Sequence, residues 1–205
     1  MKKNKISKDW KRKHKKDQFF RQSKIEGYRS RSVFKLIEIN KKYNFLKKNS
    51  NLIDLGSSPG GWCQFAAKKI ETGKIFAVDI KDMKKIDKVK FIKGDFQEDN
   101  ILRKIELYFN DRIDIVLSDM ATNTSGNKTL DSQRTGDLCI KAMSLSLKTL
   151  KNDGVFLSKL FMGEIFKEIN SIAKKSFKKV AIYKPSSSRK ESKEIYIFCK
   201  GILKI

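Results

Sequence analysis

A glycine-rich loop after a short apolar run constrains the fold of this chain more than any other feature. The run 51–53 ends in Asp54, and the chain then reads Leu-Gly-Ser-Ser-Pro-Gly-Gly-Trp up to Trp62, where a helical pattern begins. A strand, a tight glycine loop and a helix start, in this order, form a nucleotide-sized crevice in α/β proteins. The glycines follow a GxxxGG spacing, whereas dinucleotide sites follow GxGxxG.

Apolar strand-like runs alternate with helical patterns over most of the remaining chain. Short apolar strands separated by helices predict a parallel sheet with helices on both faces. No helix separates the last two strands, so these two must pair antiparallel or lie apart. We predict strands at residues 52–55, 74–78, 90–92, 113–118, 155–160, 179–183 and 194–199, and helices at 30–43, 60–70, 97–109, 131–150 and 163–175. Residues 152–154 (Asn-Asp-Gly) are expected to stop the fourth of these helices.

The chain is strongly basic. Its 205 residues include 47 Lys and Arg against 23 Asp and Glu, a formal net charge of +24. A lysine-rich proteome would explain part of this excess, but so positive a field attracts polyanions, above all nucleic acid. Lys and Arg are concentrated in residues 1–16, which we interpret as an arm that binds RNA phosphates, with a solubilising tail as the alternative. Residues 17–205 are expected to form a single domain.

Cysteine and histidine content excludes several classes of site. Cys63, Cys139 and Cys199 show no paired spacing and lie in apolar segments, which is typical of reduced thiols in a cytoplasmic protein. The single histidine, His14, lies in a lysine run, so a histidine base or a metal site is not expected. No apolar stretch approaches the length of a membrane span. We therefore expect a cytoplasmic monomer that binds neither metal nor membrane.

Acids follow three successive predicted strands at the edge where open α/β sheets bind ligands. They are Asp54, Asp79 and Asp95, the last followed by Phe96. A single acid of this kind is more commonly a helix cap, but three beside a glycine loop favour a nucleoside site. Asp79 is placed to accept hydrogen bonds from ribose hydroxyls, and Asp95 from an adenine amino group.

The same crevice argues against a phosphate-containing cofactor. Pro59 occupies the loop that would cradle a pyrophosphate. Together with Asp82 and Glu98, the acids would repel phosphate and favour a positively charged sulfonium. We therefore predict S-adenosylmethionine as the cofactor, in preference to NAD.

Two later strands bring further reactive side chains to this edge. The strand at 113–118 leads into Asp119, and the strand at 155–160 carries Lys159 near its end. Glu194 begins the last strand and reaches the same edge if that strand is antiparallel. A lysine amine between two acids, partly desolvated, could accept a proton from a hydroxyl group.

Several motifs together resemble a known family. Residues 29–36, the glycine loop, and residues 118–121, 158–161 and 187–196 are similar, in order, to motifs of the FtsJ/RrmJ ribose 2′-O-methyltransferases. The resemblance spans roughly residues 10–201. It implies a Rossmann-like class I S-adenosylmethionine-dependent methyltransferase fold, with a seven-stranded, mostly parallel sheet and an antiparallel last strand. It also implies methylation of ribosomal RNA in the large ribosomal subunit, at a uridine of the A-loop of 23S rRNA.

The resemblance assigns roles to individual residues. It implies that Lys159 is the general base on the ribose 2′-hydroxyl, that Asp119 and Glu194 orient it, and that Lys35 places the target ribose. The implied cofactor contacts are Gly60, Trp62, Asp79, Asp95 and Asp119, and we add Gly56, Pro59 and Gly61 from the same loop.

Helical spacing alone gives Lys35 a different role, since it lies opposite Val33 and Ile37 and would be a solvated lysine. Two residues depart from the family pattern: Thr122 replaces a usual proline, and Met162 replaces a usual glutamine. The alternative function is a non-catalytic RNA-binding ribosome-assembly factor on the same fold.

Overall fold

The computed structural model describes residues 17–122, 125–189 and 191–203, so the basic arm predicted at residues 1–16 lies outside the described residues. The described part contains six helices and seven strands. The helices are α1 (Gln18–Ile25), α2 (Val33–Tyr43), α3 (Gly61–Lys69), α4 (Asp99–Phe109), α5 (Lys128–Thr149) and α6 (Ile165–Ser176). The strands are β1 (Leu52–Leu55), β2 (Ile75–Asp79), β3 (Val89–Lys93), β4 (Ile113–Ser118), β5 (Leu150–Phe161), β6 (Phe177–Tyr183) and β7 (Glu194–Ile202).

All seven strands form one sheet in the order β3-β2-β1-β4-β5-β7-β6. Strands β1 to β5 pair in parallel, whereas β7 runs antiparallel to both of its neighbours, β5 and β6. The predicted seven-stranded sheet with an antiparallel last strand is therefore confirmed. The order of strands reverses between β1 and β4, and such a switch point opens a crevice beyond the carboxyl ends of the strands.

Each face of the sheet is covered by helices. All four residues of β1 are buried, and their side chains alternate between two apolar clusters. Ile53 and Leu55 pack in the cluster that includes α4, α5 and α6, while Leu52 packs in the cluster that includes α2 and α3. Burial of β1 on both faces explains its three apolar residues, and Asp54 is its one buried polar residue.

The structure corrects several predicted boundaries. Helix α1 was not predicted, because Ser23 is its only buried residue and it has no apolar stripe to recognise. Helix α2 begins at Val33, three residues later than predicted. Residues 152–154 do not stop α5, which ends at Thr149. They lie inside β5, because Leu150 already pairs with Ile113 before a register shift in the two strands. No helix in the described ranges is both long and apolar enough to cross a membrane.

The contact between α5 and α6 gives a stability prediction. Gly136 lies inside α5, and a Cβ atom on it would come 2.6 Å from Cδ1 of Ile165. Gly to Ala inside a helix normally stabilises by about 1 kcal/mol, but overpacking a buried contact costs about 1–3 kcal/mol. We expect Gly136→Ala to lower the free energy of unfolding, as measured by urea denaturation.

The control for this prediction is a double variant. Ile165→Ala removes the Cδ1, Cγ2 and Cγ1 atoms, which would lie 2.6, 2.7 and 3.1 Å from the new methyl group, so Gly136→Ala with Ile165→Ala should lose less stability than the sum of the two single variants. Strict additivity, or a single Gly136→Ala variant that is more stable than the wild type, would contradict this contact.

Candidate active site

The glycine loop connects β1 to α3 at the carboxyl edge of the sheet. Gly56 has a φ of +74°, and a Cβ atom there would lie 2.3 Å from Cγ of Met120, which follows β4. Gly60 has a φ of +108° and directly precedes α3. The backbone N–H of Gly56 donates to the carbonyl oxygen of Val78 at 2.9 Å, which ties the loop to β2. Glycine is therefore required where two strand ends approach closely and the chain turns sharply.

A cavity of about 260 Å³ opens at this edge, and we call it the cofactor cavity. Gly56, Asp79, Asp95 and Asp119 line it, so four of the predicted cofactor residues share one cavity. Phe96 also lines it and provides an aromatic wall of the cavity. Further apolar lining comes from Val78, Met120 and Leu138.

A small recess adjoins this cavity and shares Gly56 and Asp119 with it. Pro59, Gly61 and Trp62 line this recess. Gly60 lines neither the recess nor the cofactor cavity as far as the described residues define them, so its role as a cofactor contact stays a prediction.

The acids of the cofactor cavity are held by backbone donors. Asp79 accepts hydrogen bonds from the N–H groups of Ser58 (2.8 Å) and Lys81 (2.7 Å), one on each carboxylate oxygen. Asp95 accepts hydrogen bonds from the backbone N–H of Gln97 at 2.9 Å and from its side-chain amide at 3.1 Å and 3.2 Å. Each carboxylate keeps free lone pairs in a fixed orientation, as hydrogen bonds to ribose hydroxyls or an amino group require.

Unsatisfied polar atoms in the recess support the binding of S-adenosylmethionine. Oδ1 of Asp54 and Oγ of Ser57 are buried without a hydrogen-bond partner among the described residues, and both residues line the recess. Buried polar atoms without partners are uncommon and call for an explanation such as a ligand. The residues therefore fit S-adenosylmethionine: Asp79 and Asp95 would hold its adenosine, and Asp54 and Ser57 would hold its amino-acid end.

Two of the five acids that were predicted to line this crevice lie outside it. Asp82 and Glu98 do not line the cofactor cavity, and Asp82 is exposed and paired with Lys93 at 2.7 Å. Lys81 also contributes to the lining. Those two acids follow their strands by several residues, so the chain has already turned away from the edge before it reaches them.

Asp119 and Lys159 form an ion pair at the end of β4 and β5. The Nζ atom of Lys159 lies 3.0 Å from Oδ1 of Asp119 and donates to its backbone carbonyl oxygen at 2.8 Å. The hydroxyl of Tyr196, which pairs with Lys159 across β5 and β7, donates to the same Oδ1 atom at 2.7 Å. Asp119 therefore joins three strands and also lines the cofactor cavity.

Lys35 and Glu194 form the second ion pair of the site. Nζ of Lys35 lies 2.7 Å and 2.8 Å from the two carboxylate oxygens of Glu194. The hydroxyl of Ser188 also donates to Glu194, at 2.9 Å. Nζ of Lys35 lies 5.9 Å from the centre of the Tyr196 ring, so the two ion pairs flank one tyrosine. The structure thus places the four predicted catalytic residues, which we call the tetrad, in two ion pairs beside Tyr196, while their roles stay predictions. The tetrad is Lys35, Asp119, Lys159 and Glu194.

Lys35 is not the solvated lysine that helical spacing predicts. Its side chain is 12% exposed, because the loop between β6 and β7 covers this face of α2. Glu38, one turn further along α2, accepts hydrogen bonds from the N–H groups of Ser186 (2.7 Å) and Ser187 (2.9 Å). Arg31, which lies just before α2, also donates a hydrogen bond to this loop, at the carbonyl oxygen of Ser187.

Sequence reasoning assigned no role to three residues that complete this site. They are Tyr196, Ser188 and Glu38. A signal existed for Tyr196, since it lies two positions after Glu194 in a strand and therefore on the same face of the sheet. No local pattern indicated Glu38, whose partners are about 150 residues away in the sequence.

Charges in the site shift the pKa values of its members. Burial raises the pKa of Asp119, but the positive charges of Lys159 and Lys35 and the hydrogen bond from Tyr196 outweigh it, and the net pKa is below its ordinary value. Burial and the negative charge of Asp119 raise the pKa of Tyr196 well above its ordinary value. Asp119 is therefore an ionised acceptor and Tyr196 a neutral donor across the physiological pH range.

No group of acids, cysteines or histidines suited to a metal ion occurs in the described part of the chain.

Asp54 gives a pH-dependent stability prediction. Burial, opposed in part by the Cys63 hydrogen bond at 3.0 Å, raises its pKa from 3.8 to about 7. Between these values the folded protein keeps a proton that the unfolded chain loses, so the contribution of Asp54 to stability falls as pH rises and is gone above about pH 7. Asp54→Asn should therefore gain stability relative to the wild type from pH 4 to pH 7, by up to about 1.4 kcal/mol per pKa unit.

Urea denaturation at several pH values would measure this difference. Asp137→Asn is the matched control, because it removes a carboxylate from an exposed position of α5. A difference between Asp54→Asn and the wild type that does not change with pH would show that Asp54 titrates alike in the folded and unfolded states.

Comparison with known proteins gives the family of this chain. Residues 28–202 match the model of the FtsJ-like methyltransferase family. Ribosomal RNA large subunit methyltransferase E of Pelagibacter ubique is 46% identical over 200 residues, which cover 98% of both chains. The protein of the same name from Legionella pneumophila (strain Lens) is 43% identical over 203 residues, again 98% of both chains.

A solved structure gives the same relationship. A Plasmodium falciparum protein, described as a ribosomal RNA methyltransferase, superimposes with a TM-score of 0.78 at 33% identity, covering 87% of this chain and 100% of that one. Sequence and fold agree over the segment that carries the glycine loop, both ion pairs and Tyr196. The chain belongs to the FtsJ-like methyltransferase family.

Proposed function

We propose that this enzyme transfers the methyl group of S-adenosylmethionine to the 2′-hydroxyl of a ribose in ribosomal RNA. The observation that carries the proposal is the double role of Asp119, which lines the cofactor cavity and holds the ammonium group of Lys159. A residue that accepts a proton is thus fixed beside the cavity that fits the methyl donor. The target that the family resemblance implies is a uridine of the A-loop of 23S rRNA in the large subunit.

Lys159 is the residue that takes the proton in this proposal. An ammonium group has three N–H donors, and the described residues use two of them, both at Asp119. The remaining position is left for the ribose hydroxyl. With one ammonium proton released to water, the lone pair of Lys159 accepts the hydroxyl proton as the oxygen becomes a nucleophile. S-adenosylmethionine, when bound, supplies an electrophilic methyl group on a sulfonium that needs no metal.

Lys35 and Glu194 act on the ribose from the opposite side in this proposal. Both side chains are largely buried, and the carboxylate of Glu194 is further held by Ser188. A paired lysine in such a place has a fixed position, and its N–H can contact an oxygen of the ribose or of a neighbouring phosphate. Positioning of this kind lowers the barrier by holding the hydroxyl near the attacked carbon.

Ribosomal RNA is the proposed substrate on two grounds. The relatives from Pelagibacter ubique and Legionella pneumophila are both named ribosomal RNA large subunit methyltransferase E. The net charge of +24 provides the electrostatic attraction that a polyanion needs. We further propose that the basic arm contributes phosphate contacts, that residues 17–205 act as one domain, and that the enzyme works as a cytoplasmic monomer.

The alternative of a non-catalytic ribosome-assembly factor is less well supported. Binding alone needs no buried lysine between a carboxylate, a carbonyl and a tyrosine, because desolvating such a group costs free energy. The described residues hold Lys35 with Glu194 and Lys159 with Asp119 in two ion pairs. A role in ribosome maturation remains part of the proposal, through the methylation itself.

The first functional prediction concerns the proton acceptor. Lys159→Ala and Lys159→Arg should each lower the methylation rate by about 10²- to 10⁴-fold, the usual contribution of a general base. Arginine keeps the positive charge but cannot give up its proton. An inactive Lys159→Arg variant would therefore show that the reaction needs a proton acceptor at this position and not only a positive charge. The measurement is tritium transfer from S-adenosylmethionine to large ribosomal subunits, or to their rRNA, from a strain that lacks the gene.

Two controls accompany this assay. Lys104→Ala removes an exposed lysine of α4 and should retain the wild-type rate. Calorimetry should find cofactor affinity nearly unchanged in both Lys159 variants. Near-normal turnover by Lys159→Arg would assign the proton to another acceptor.

A further prediction concerns the basic arm. Deletion of residues 1–16 should weaken RNA binding and flatten the dependence of affinity on salt, because fewer counterions are released from the phosphates. The comparison is a plot of log affinity against log salt for the full chain and the truncated chain. If both plots have the same slope, the arm contributes solubility and no phosphate contacts.

A further inference from the structure

A second cavity, of about 410 Å³, opens at the end of β5, and we call it the α5–α6 cavity. It is lined by the first turns of α5, by residues 161–165, where β5 ends and α6 begins, and by Glu191 and Lys193 just before β7. Its volume falls within the range of about 300–1,000 Å³ that small-molecule sites occupy. It shares no lining residue with the cofactor cavity, so the proposed function leaves it without an occupant.

This cavity begins next to the proposed catalytic residues. Phe161, one of its lining residues, lies directly opposite Glu194 in the pairing of β5 with β7. Lys159 is two residues before Phe161, or about 7 Å along the strand. The N–H of Met162 donates to the carbonyl oxygen of Lys193 at 3.0 Å, which holds the two lining segments together. A ribose at Lys159 therefore places its own base, or the neighbouring one, within reach of the cavity.

The lining suits the flat face of a nucleobase. Phe161, Met162 and Ile165 provide apolar surface, and Met162 is 45% exposed although it lies in a strongly charged chain. Aromatic and thioether side chains pack well against a π-face. A base that packs against Met162 would remove this exposed apolar side chain from water.

The polar lining suits the edge of a base and the adjoining backbone. Asp131 is buried, and its Oδ1 atom accepts hydrogen bonds from the N–H and the hydroxyl of Ser125, both at 2.8 Å. A carboxylate held in this way can accept an N–H from the edge of a base, as can the amide oxygen of Gln133. Lys128 and Lys193 provide positive charge for the adjoining phosphates, while Glu164 and Glu191, which also line the cavity, can accept N–H groups of a base but repel phosphate.

The walls of this cavity are built before any ligand binds. A Cβ atom on Gly163 would lie 2.4 Å from Oγ of Ser132, so the β5–α6 connection packs directly on α5. The Ser132 hydroxyl also donates to the carbonyl oxygen of Phe161 at 3.4 Å. A preformed pocket orders little on binding, which favours its use for recognition.

We propose that the α5–α6 cavity binds an unstacked nucleobase of the RNA substrate, either that of the methylated nucleotide or that of its immediate neighbour. The inference rests on the proposed function, since it assumes that a ribose lies at Lys159. RNA-binding proteins commonly read single-stranded bases by stacking them on side chains and pairing their edges with polar groups. The cavity is a specificity site in this proposal, separate from the groups that move the proton.

Two variants of the lining test the proposal by steady-state kinetics. Met162→Ala removes packing surface, and Thr129→Trp fills the cavity from α5. Each should raise KM for unmethylated large subunits by at least about fivefold, the lower end of what one stacked base contributes. The kcat value and the affinity for S-adenosylmethionine should stay near those of the wild type. Leu107→Ala and Leu107→Trp, at a position on α4 that is 74% exposed, are the matched controls and should change neither constant.

Photo-crosslinking identifies the occupant directly. Ultraviolet irradiation of wild-type protein bound to unmethylated large-subunit rRNA should link a base to the peptide that contains residues 161–165. Sequencing of the attached nucleotide then distinguishes the base of the methylated nucleotide from that of its neighbour.

Failure of this inference and failure of the proposed function give different results. If the wild type methylates RNA and both lining variants keep its KM, the cavity is not a base site. If the wild type does not methylate RNA, the proposed function fails, and the crosslinking result still decides whether the cavity binds a base. Crosslinks confined to other peptides would overturn the inference in either case.

Discussion

Charge compensation of the largely buried carboxylate of Asp119 is the interaction on which the rest of this site depends. Removal of a carboxylate from water is costly unless its charge and lone pairs are satisfied. Lys159 supplies the opposite charge at 3.0 Å, and the hydroxyl of Tyr196 supplies a hydrogen bond at 2.7 Å. The three groups come from the ends of β4 and β5 and from the start of β7. The negative charge of Asp119 is therefore compensated only when these strands pair as they do in this fold.

The antiparallel direction of β7 makes this arrangement possible. Parallel strands bring their last residues to the ligand edge, as β4 and β5 do with Asp119 and Lys159. Because β7 runs in the opposite direction, it brings its first residue, Glu194, to that edge. Tyr196 lies two residues further along and on the same face, where its ring separates the two ion pairs. Insertion of β7 between β5 and β6 thus adds an acid and a phenol to a site that parallel strands alone could not complete.

The parts of this fold that the sequence predicts are those with local causes. Apolar runs indicate all seven strands, and the acids that follow such runs indicate Asp79, Asp95 and Asp119 as residues of the ligand edge. Lys35 is different, because its burial depends on a loop that Glu38 holds from about 150 residues away, and helical spacing carries no trace of that contact. The extension of β5 back to Leu150 likewise depends on pairing with Ile113, so the turn-forming sequence at residues 152–154 was misleading.

The position of Glu194 as the first residue of β7 limits how this family can vary in sequence. Successive residues of a strand face opposite sides of the sheet, so one residue inserted between Glu194 and Tyr196 would turn one of them away from Lys35 and Asp119. An insertion before Ser186 lies outside the hydrogen bonds to Glu38 and would lengthen the connection without moving the acid. Length variation among relatives should accordingly be confined to the first part of the β6–β7 connection, and the segment from Ser186 to Tyr196 should keep a constant number of residues.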